Sequence, residues 1–230
     1  MDTLRLFFEL LKYILGLNSS SSTATNGQSG NQSAETSSEV STTTQNQNYS
    51  PMDGNKIALV GDSWASGMKR FWSLGAVYAY PGKMWPQIAA GCAKAAAAGY
   101  KNIVVWCGVN GYTHKASWHS DGVVKCCKNA PNSNIWFFQY AKQKRVRTKT
   151  CSADPNMEKL IRSNVLPGIR DGVSKCKNAR FTDLSDREYP LNISKETPVN
   201  GVYKHDGFHL TDAGFKQLAN DIMSIVKGNR

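Results

Sequence analysis

From residue 55 onward, the chain alternates short, continuously apolar runs with longer stretches of helical periodicity. The apolar runs are 56–60, 76–80, 103–107, 135–138 and the weaker 181–184; the helical stretches are 84–98, 155–176 and 212–227. Continuous apolar runs are typical of strands that are buried on both faces, and their alternation with helices favours a parallel sheet. The sequence therefore predicts a doubly wound α/β domain over 55–230, a flavodoxin-like three-layer sandwich with a parallel sheet of about five strands.

Local signals place the ends of the predicted helices. Gly99 follows an alanine-rich helical stretch, where glycine is a common stop. Thr211 directly precedes the last apolar period, which is the position of an N-cap residue. Pro167 lies inside the second helical stretch and predicts a kink there.

Polar and glycine residues follow the apolar runs at several points. The segments 61–64, 81–83 and 108–111 each follow a predicted strand, and 206–210 precedes the last predicted helix. Ligands of open parallel sheets bind beyond the carboxyl ends of the strands. A hydroxyl, a glycine amide, a carboxamide and an Asp/His pair at that edge are the components of an acyl-transfer site.

Four of these blocks resemble those of the SGNH (GDSL-type) hydrolases, in the same order along residues 55–228. The blocks are Gly61-Asp62-Ser63, Gly82, Gly108-Val109-Asn110 and Asp206-Gly207-Phe208-His209. The resemblance implies the SGNH hydrolase fold and ester hydrolysis. In the family the third block usually reads GxND, and here Gly111 replaces the aspartate.

The resemblance also implies a role for each residue of these blocks. Ser63 would be the nucleophile, and His209 would take its proton and return it to the leaving group. Asp206 would hold the imidazole in the required tautomer. The backbone N–H groups of Ser63 and Gly82, together with the Asn110 side chain, would bind the oxyanion.

The residues also allow simpler interpretations. Ser63 could be an N-cap of the helix after its strand, and Asp206 with His209 could form a surface turn. Asp62 is a structural residue in our interpretation, and His205 is a poorer base than His209. His114 and His119 have no ligand-like partners in the sequence, so no metal and no cofactor is predicted.

Aromatic and basic residues near these blocks bear on the substrate. Trp64 and Trp85 flank the nucleophile and glycine blocks and could form an aromatic rim that binds substrate, although core packing is the commoner role of such residues. A basic cluster follows the fourth strand and would attract an anionic polymer or surface. Nucleic-acid-binding motifs are absent, so nucleic acid is not a predicted partner. The cluster consists of Lys142, Lys144, Arg145, Arg147 and Lys149.

The function predicted from these features is a serine esterase that removes a short acyl group, acetyl above all, from a carbohydrate or cell-surface polymer. The small domain leaves little chain for a lid over a long acyl group. Two alternatives remain open: a lipid or thioester hydrolase of the same family, and a non-catalytic module that binds a polyanionic surface on the same fold.

The N-terminal residues differ in composition from the rest. Residues 1–17 are apolar, with charges spaced for one helical face, and predict an amphipathic helix that binds a membrane surface or a partner helix. Residues 18–54 predict a disordered linker, since 24 of the 32 positions in 19–50 are Ser, Thr, Asn or Gln. No cleavable signal peptide is recognisable, and extracellular, cell-surface or virion association is favoured.

Charge and cysteine content set further bounds. The chain carries 28 Lys and Arg against 17 Asp and Glu, a balance that suits an anionic partner. The six cysteines predict mostly reduced or buried thiols, with one or two disulfides from Cys151 or Cys176 to the 126–127 pair left open. The remaining cysteines are Cys92 and Cys107.

Overall fold

The computed structural model describes residues 56–142, 156–189 and 209–228, all within the unit Asn48–Arg230. Several predictions lie outside these ranges and stay predictions. They are the helix at 1–17, the linker at 18–54, the basic cluster apart from Lys142, the pairing of Cys151, and the positions of His205 and Asp206.

The described residues form a five-stranded sheet in which every neighbouring pair of strands is parallel. The spatial order is β2-β1-β3-β4-β5. The chain first adds β2 on one side of β1, and then returns to add β3, β4 and β5 in succession on the other side of β1. The carboxyl ends of β1 and β3 border the point of reversal, where open α/β sheets bind ligands. The strands are β1 Ile57–Gly61, β2 Val77–Ala79, β3 Asn102–Trp106, β4 Asn134–Gln139 and β5 Ala179–Asp183.

Helices cover the sheet in two groups. Helix α3 packs against both α2 and α5, while α1 packs against α6. Since crossovers between parallel strands are right-handed as a rule, this strand order puts the two groups on opposite faces of the sheet, which gives three layers. The helices are α1 Ser63–Met68, α2 Trp85–Ala97, α3 Ala116–Asn129, α4 Met157–Leu160, α5 Leu166–Ser174 and α6 Asp212–Val226.

The predicted α/β class and the parallel sheet of about five strands are confirmed, and most element bounds differ by one or two residues. The predicted helix over 155–176 consists instead of α4, a π-helical segment Ile161–Val165 and α5. Pro167 explains the π-helical segment, because proline has no N–H to donate to the carbonyl four residues before it, and the regular α-helical hydrogen bonding is interrupted there. Thr211 is the N-cap of α6, and its hydroxyl accepts a hydrogen bond from the Gly214 N–H at 3.1 Å.

One disulfide joins α3 to the segment after α5. It links Cys127 to Cys176, one of the pairings that the sequence left open, with 6.3 Å between the Cα atoms. Cys92, Cys107 and Cys126 are buried free thiols. Of the helices that the structure describes, none combines the length and apolarity needed to cross a bilayer.

Candidate active site

The turn from β1 into α1 fixes the backbone around Ser63. A Cβ on Gly61 would lie 2.5 Å from the Trp106 carbonyl oxygen and 2.7 Å from the Ala65 Cβ, so only glycine lets the strand turn this closely beside β3. The Asp62 side chain caps α1 by accepting a hydrogen bond from the Trp64 N–H at 3.0 Å. The N-cap is therefore Asp62, and Ser63 is the first residue of the helix.

His209 lies beside Ser63 although 146 residues separate them in the chain. The distance from His209 Nε2 to Ser63 Oγ is 2.8 Å, within hydrogen-bond reach. Thr211, as the N-cap of α6, holds the segment that carries the histidine. The structure thus brings together a hydroxyl and an imidazole, the pair needed to activate a serine nucleophile.

Helix packing supports this pairing of distant residues. Gly67 on α1 faces the ring of Phe215 on α6, and any Cβ at position 67 would overlap that ring. The absence of a side chain lets the two helices approach closely. Helix α1 begins at Ser63, and α6 begins three residues after His209. The close packing of these helices at Gly67 and Phe215 therefore helps to hold Ser63 and His209 near each other.

The glycine loop and the asparagine loop are joined directly. Gly82 has a φ of +71° in the turn after β2, where the Lys83 N–H donates to the Tyr80 carbonyl at 3.0 Å. The Asn110 side chain donates from Nδ2 to the Lys83 carbonyl at 2.9 Å. The two predicted oxyanion loops are therefore held against each other at the edge that carries Ser63.

A side chain at position 111 would not fit in this arrangement of the asparagine loop. A Cβ at position 111 would lie 2.5 Å from the ring of Trp118 and 3.2 Å from that of His114. These two rings are stacked, with 4.1 Å between centroids and an interplanar angle of 21°. The Trp118 indole occupies the space that a side chain would need, so the asparagine loop rests on an aromatic pair.

Trp64 and Trp85 do not form the substrate-binding rim that the sequence suggested. Trp64 is fully buried and stacks on Trp106 with 5.2 Å between ring centroids. Trp85 is 2% exposed, and its indole N–H donates to His119 Nδ1 at 3.0 Å. Both side chains therefore belong to the core, where they have no surface to offer a substrate.

His119 connects the start of α2 to α3 beneath the asparagine loop. Its Nδ1 accepts from the Trp85 indole, so the proton of the neutral ring is on Nε2. Burial lowers the pKa of His119 to about 4 against a weaker opposing effect of the Gly111 backbone, and the ring is neutral at pH 7. Within the described ranges, no group of three or more His, Cys, Asp or Glu side chains is placed to hold a metal ion.

Asp62 is a fully buried carboxyl group next to the nucleophile. Desolvation raises its pKa from 3.8 to about 7, partly offset by hydrogen bonds from backbone N–H groups that include that of Trp64. Its Oδ2 atom is buried without a hydrogen-bond partner in the part of the chain that the structure describes. The charged form of Asp62 is therefore destabilised in the folded state.

We expect Asp62→Asn to flatten the pH dependence of folding stability. Because the folded pKa lies above the unfolded value, the folded state binds the extra proton, and stability falls as pH rises from about 4 to 7. The variant lacks this titration. The difference between its free energy of unfolding and that of the wild type should therefore rise by about 2–4 kcal/mol, in favour of the variant, between pH 4 and 7. Urea unfolding at pH 4, 5.5, 7 and 8 measures the difference. Parallel pH profiles of the two proteins would contradict the prediction.

Sequence comparisons find no match, whereas structure comparisons find solved structures with a similar fold. No protein-family model and no curated protein matches the chain. A GDSL-like lipase from Bacteroides thetaiotaomicron is 11% identical, with a TM-score of 0.52 over 76% of this chain and 89% of that one. A Bacteroides fragilis protein described as an acylhydrolase is 14% identical, with a TM-score of 0.53 over 78% and 90%.

A third solved structure is the family 3 carbohydrate esterase of Clostridium thermocellum. It is 17% identical, with a TM-score of 0.50 over 75% of this chain and 97% of that one. At these identities the likeness concerns the fold, and function depends on the site. The chain has the α/β fold that these proteins share, which is consistent with its resemblance to the SGNH hydrolases.

Proposed function

We propose that this chain is a serine ester hydrolase with Ser63 as nucleophile and His209 as general base. The observation that carries the proposal is the 2.8 Å approach of His209 Nε2 to Ser63 Oγ at the carboxyl edge of the sheet. The hydroxyl is a weak nucleophile until a base takes its proton, and this distance suits that transfer.

In the proposed reaction, Ser63 Oγ attacks the ester carbonyl carbon while its proton moves to His209 Nε2. The tetrahedral intermediate collapses, the C–O bond to the alcohol breaks, and the imidazolium returns the proton to the leaving oxygen. Water then attacks the acyl-serine with the same histidine as base, which releases the acid and regenerates the hydroxyl. Asp206, three residues before His209, is the proposed partner of the imidazole.

The oxyanion of each intermediate would be bound by the backbone N–H groups of Ser63 and Gly82 and by the Asn110 side chain. Ser63 is the first residue of α1, so its N–H lies at the N-terminus of that helix, directly beside the Oγ that attacks the carbonyl carbon. Gly82 is exposed in its turn. The bond from Asn110 to the Lys83 carbonyl supports this assignment, because it fixes the carboxamide next to the glycine loop.

The proposed substrate is a short acyl ester, acetyl above all, on a carbohydrate. A long acyl chain needs an apolar surface near the nucleophile. Among the described residues, Met84 is the one large hydrophobic side chain that is exposed, at 38%. This scarcity favours a small acyl group on a hydrophilic molecule over a lipid.

Covalent labelling with a fluorophosphonate probe tests the proposal most directly. The probe reports the nucleophile, the base and the oxyanion site together, and we expect one adduct, located at Ser63 by peptide mass mapping. Ser63→Ala should remove the adduct and His209→Ala should slow its formation. A folded wild-type protein that stays unlabelled would refute the hydrolase and favour a non-catalytic module that binds a polyanionic surface.

A further inference from the structure

The segment that builds both oxyanion loops carries only positive charge. Residues 63–120 contain no Asp or Glu. Their six Lys and Arg residues are Lys69, Arg70, Lys83, Lys94, Lys101 and Lys115. Arg70 is paired with Asp212. Lys94 lies in the last turn of α2 and Lys101 directly precedes β3, away from the carboxyl edge of the sheet. Unpaired cations at the edge of a site raise the local concentration of anionic ligands.

Two of these lysines lie directly at the asparagine loop. The Lys83 carbonyl accepts the Asn110 side chain, and Lys115 is the N-cap residue of α3 at the end of that loop. Both residues are exposed, and neither forms an ion pair with another described residue. Their charges are therefore available to a ligand at this edge.

The aromatic pair next to these lysines presents a flat exposed ring. His114 is exposed and stacks on the half-buried Trp118. Backbone hydrogen bonds fix the pair to the loop, from the His114 N–H to the Gly111 carbonyl at 2.9 Å and from the Trp118 N–H to the Lys115 carbonyl at 3.0 Å. A rigid ring face beside a hydrophilic, cationic edge suits the C–H face of a sugar.

We propose that His114, Trp118, Lys83 and Lys115 form a subsite for an acidic sugar, whose acyl group is then presented to Ser63. This inference rests on the proposed ester hydrolysis and specifies its substrate class. The sugar ring packs against the His114–Trp118 pair, and its carboxylate lies between the two lysines. The charge distribution favours an acidic glycan over a neutral one as the carrier of the ester.

A matched pair of substrates tests the charge requirement. One is an O-acetylated oligogalacturonide with free carboxylates, and the other is the same oligosaccharide with every carboxylate methyl-esterified. Acetate release is measured for both. We expect a KM about 5- to 10-fold lower for the free acid, with a difference that shrinks as salt rises from 20 to 300 mM because exposed charges are screened.

Two double variants assign the effect to this subsite. Lys83→Gln with Lys115→Gln should raise the KM of the free acid to that of the methyl ester. The control is Lys125→Gln with Lys128→Gln, which removes two exposed lysines at the far end of α3, about 15 Å or more along the helix from Lys115. The control should keep the preference for the free acid.

A third variant tests the aromatic pair. His114→Ala should raise the KM of both forms of the oligosaccharide about 3- to 10-fold, since it removes the ring face and not the lysines. An unchanged KM in this variant would overturn the stacking part of the proposal.

The outcomes separate this proposal from the proposed function. Equal KM values for the two wild-type substrates, or a preference that survives the Lys83/Lys115 variant, would overturn the subsite. Ser63 labelled by fluorophosphonate without acetate release from either oligosaccharide would also overturn the subsite but leave the ester hydrolase standing. An unlabelled Ser63 would refute both proposals.

Discussion

We expect Ser63→Ala to lower kcat/KM for p-nitrophenyl acetate by about 10⁴- to 10⁶-fold, the loss typical of removing a serine nucleophile. The reason is that Ser63 Oγ, 2.8 Å from His209 Nε2, is the atom that forms the covalent bond in the proposed reaction. His209→Ala should cause a comparable loss, and the double variant should be little worse than either one, because nucleophile and base act as a unit. Initial rates, corrected for spontaneous hydrolysis, measure all three.

Two controls keep this result specific. Ser66 lies on the same helix as Ser63, and Ser66→Ala should change the rate less than about 3-fold, as expected for a residue outside the reaction. His205→Ala should also retain activity, because the resemblance assigns the base to His209. Normal turnover in Ser63→Ala, or an equal loss in His205→Ala, would show that the assignment of nucleophile or base is wrong.

The sheet could be predicted from the sequence because its strands are buried on both faces. Runs such as Ile103–Cys107 are continuously apolar, and this pattern does not depend on knowing which residues they contact. Helix α6 was equally visible, since Thr211 caps it and Phe215, Leu218 and Ile222 recur at helical spacing. Local pattern and tertiary packing agree in these elements.

Helix α3 was harder to recognise, and its packing explains why. No helical stretch is predicted between the third and fourth apolar runs. Glycine inside a helix costs about 1 kcal/mol relative to alanine and weakens its signal, yet Gly122 is needed because a Cβ there would overlap the Trp85 ring. Burial against α2 and α5 stabilises a helix whose sequence alone does not predict it.

Helix geometry explains why Trp64 does not line the site. Ser63 and Trp64 are neighbours in sequence, but successive helical residues are rotated by about 100° around the axis. When Ser63 lies at the edge of the sheet near His209, the same turn directs Trp64 into the core against Trp106 and Phe215. Adjacency to Ser63 in the sequence therefore predicts where the Trp64 backbone lies, but not that its side chain points into the core.

The sequence indicates the stacked pair of His114 and Trp118 only weakly. His114 and Trp118 are four residues apart, which is a spacing that brings side chains together on a helix. His114 nevertheless precedes α3, and the stack depends on the missing side chain of Gly111. The sequence alone shows that Gly111 departs from the GxND pattern. Only the structure shows that the Trp118 ring fills the space beside Gly111.

Asn110→Ala is the substitution outside the proposed Ser-His pair from which we expect the largest loss. If the Asn110 carboxamide donates to the oxyanion, its removal should lower kcat for p-nitrophenyl acetate by about 10²- to 10³-fold, equivalent to roughly 3–4 kcal/mol of transition-state stabilisation. KM should change less than about 3-fold, since the bond forms only as charge develops on the oxygen. The rate of fluorophosphonate labelling should fall in parallel.

A matched variant separates this electronic role from a structural one, because Asn110 also holds the glycine loop through the Lys83 carbonyl. Asn164 makes the same type of bond to the asparagine loop from outside the site, donating from Nδ2 to the Tyr112 carbonyl at 3.1 Å. Asn164→Ala should therefore destabilise the protein by about 1 kcal/mol, a typical net contribution of one hydrogen bond, and leave kcat within about 5-fold of the wild type. Equal losses of kcat in the two variants would mean that Asn110 acts by holding the loop. A much larger loss in Asn110→Ala at a similar unfolding free energy is the result that an oxyanion donor requires.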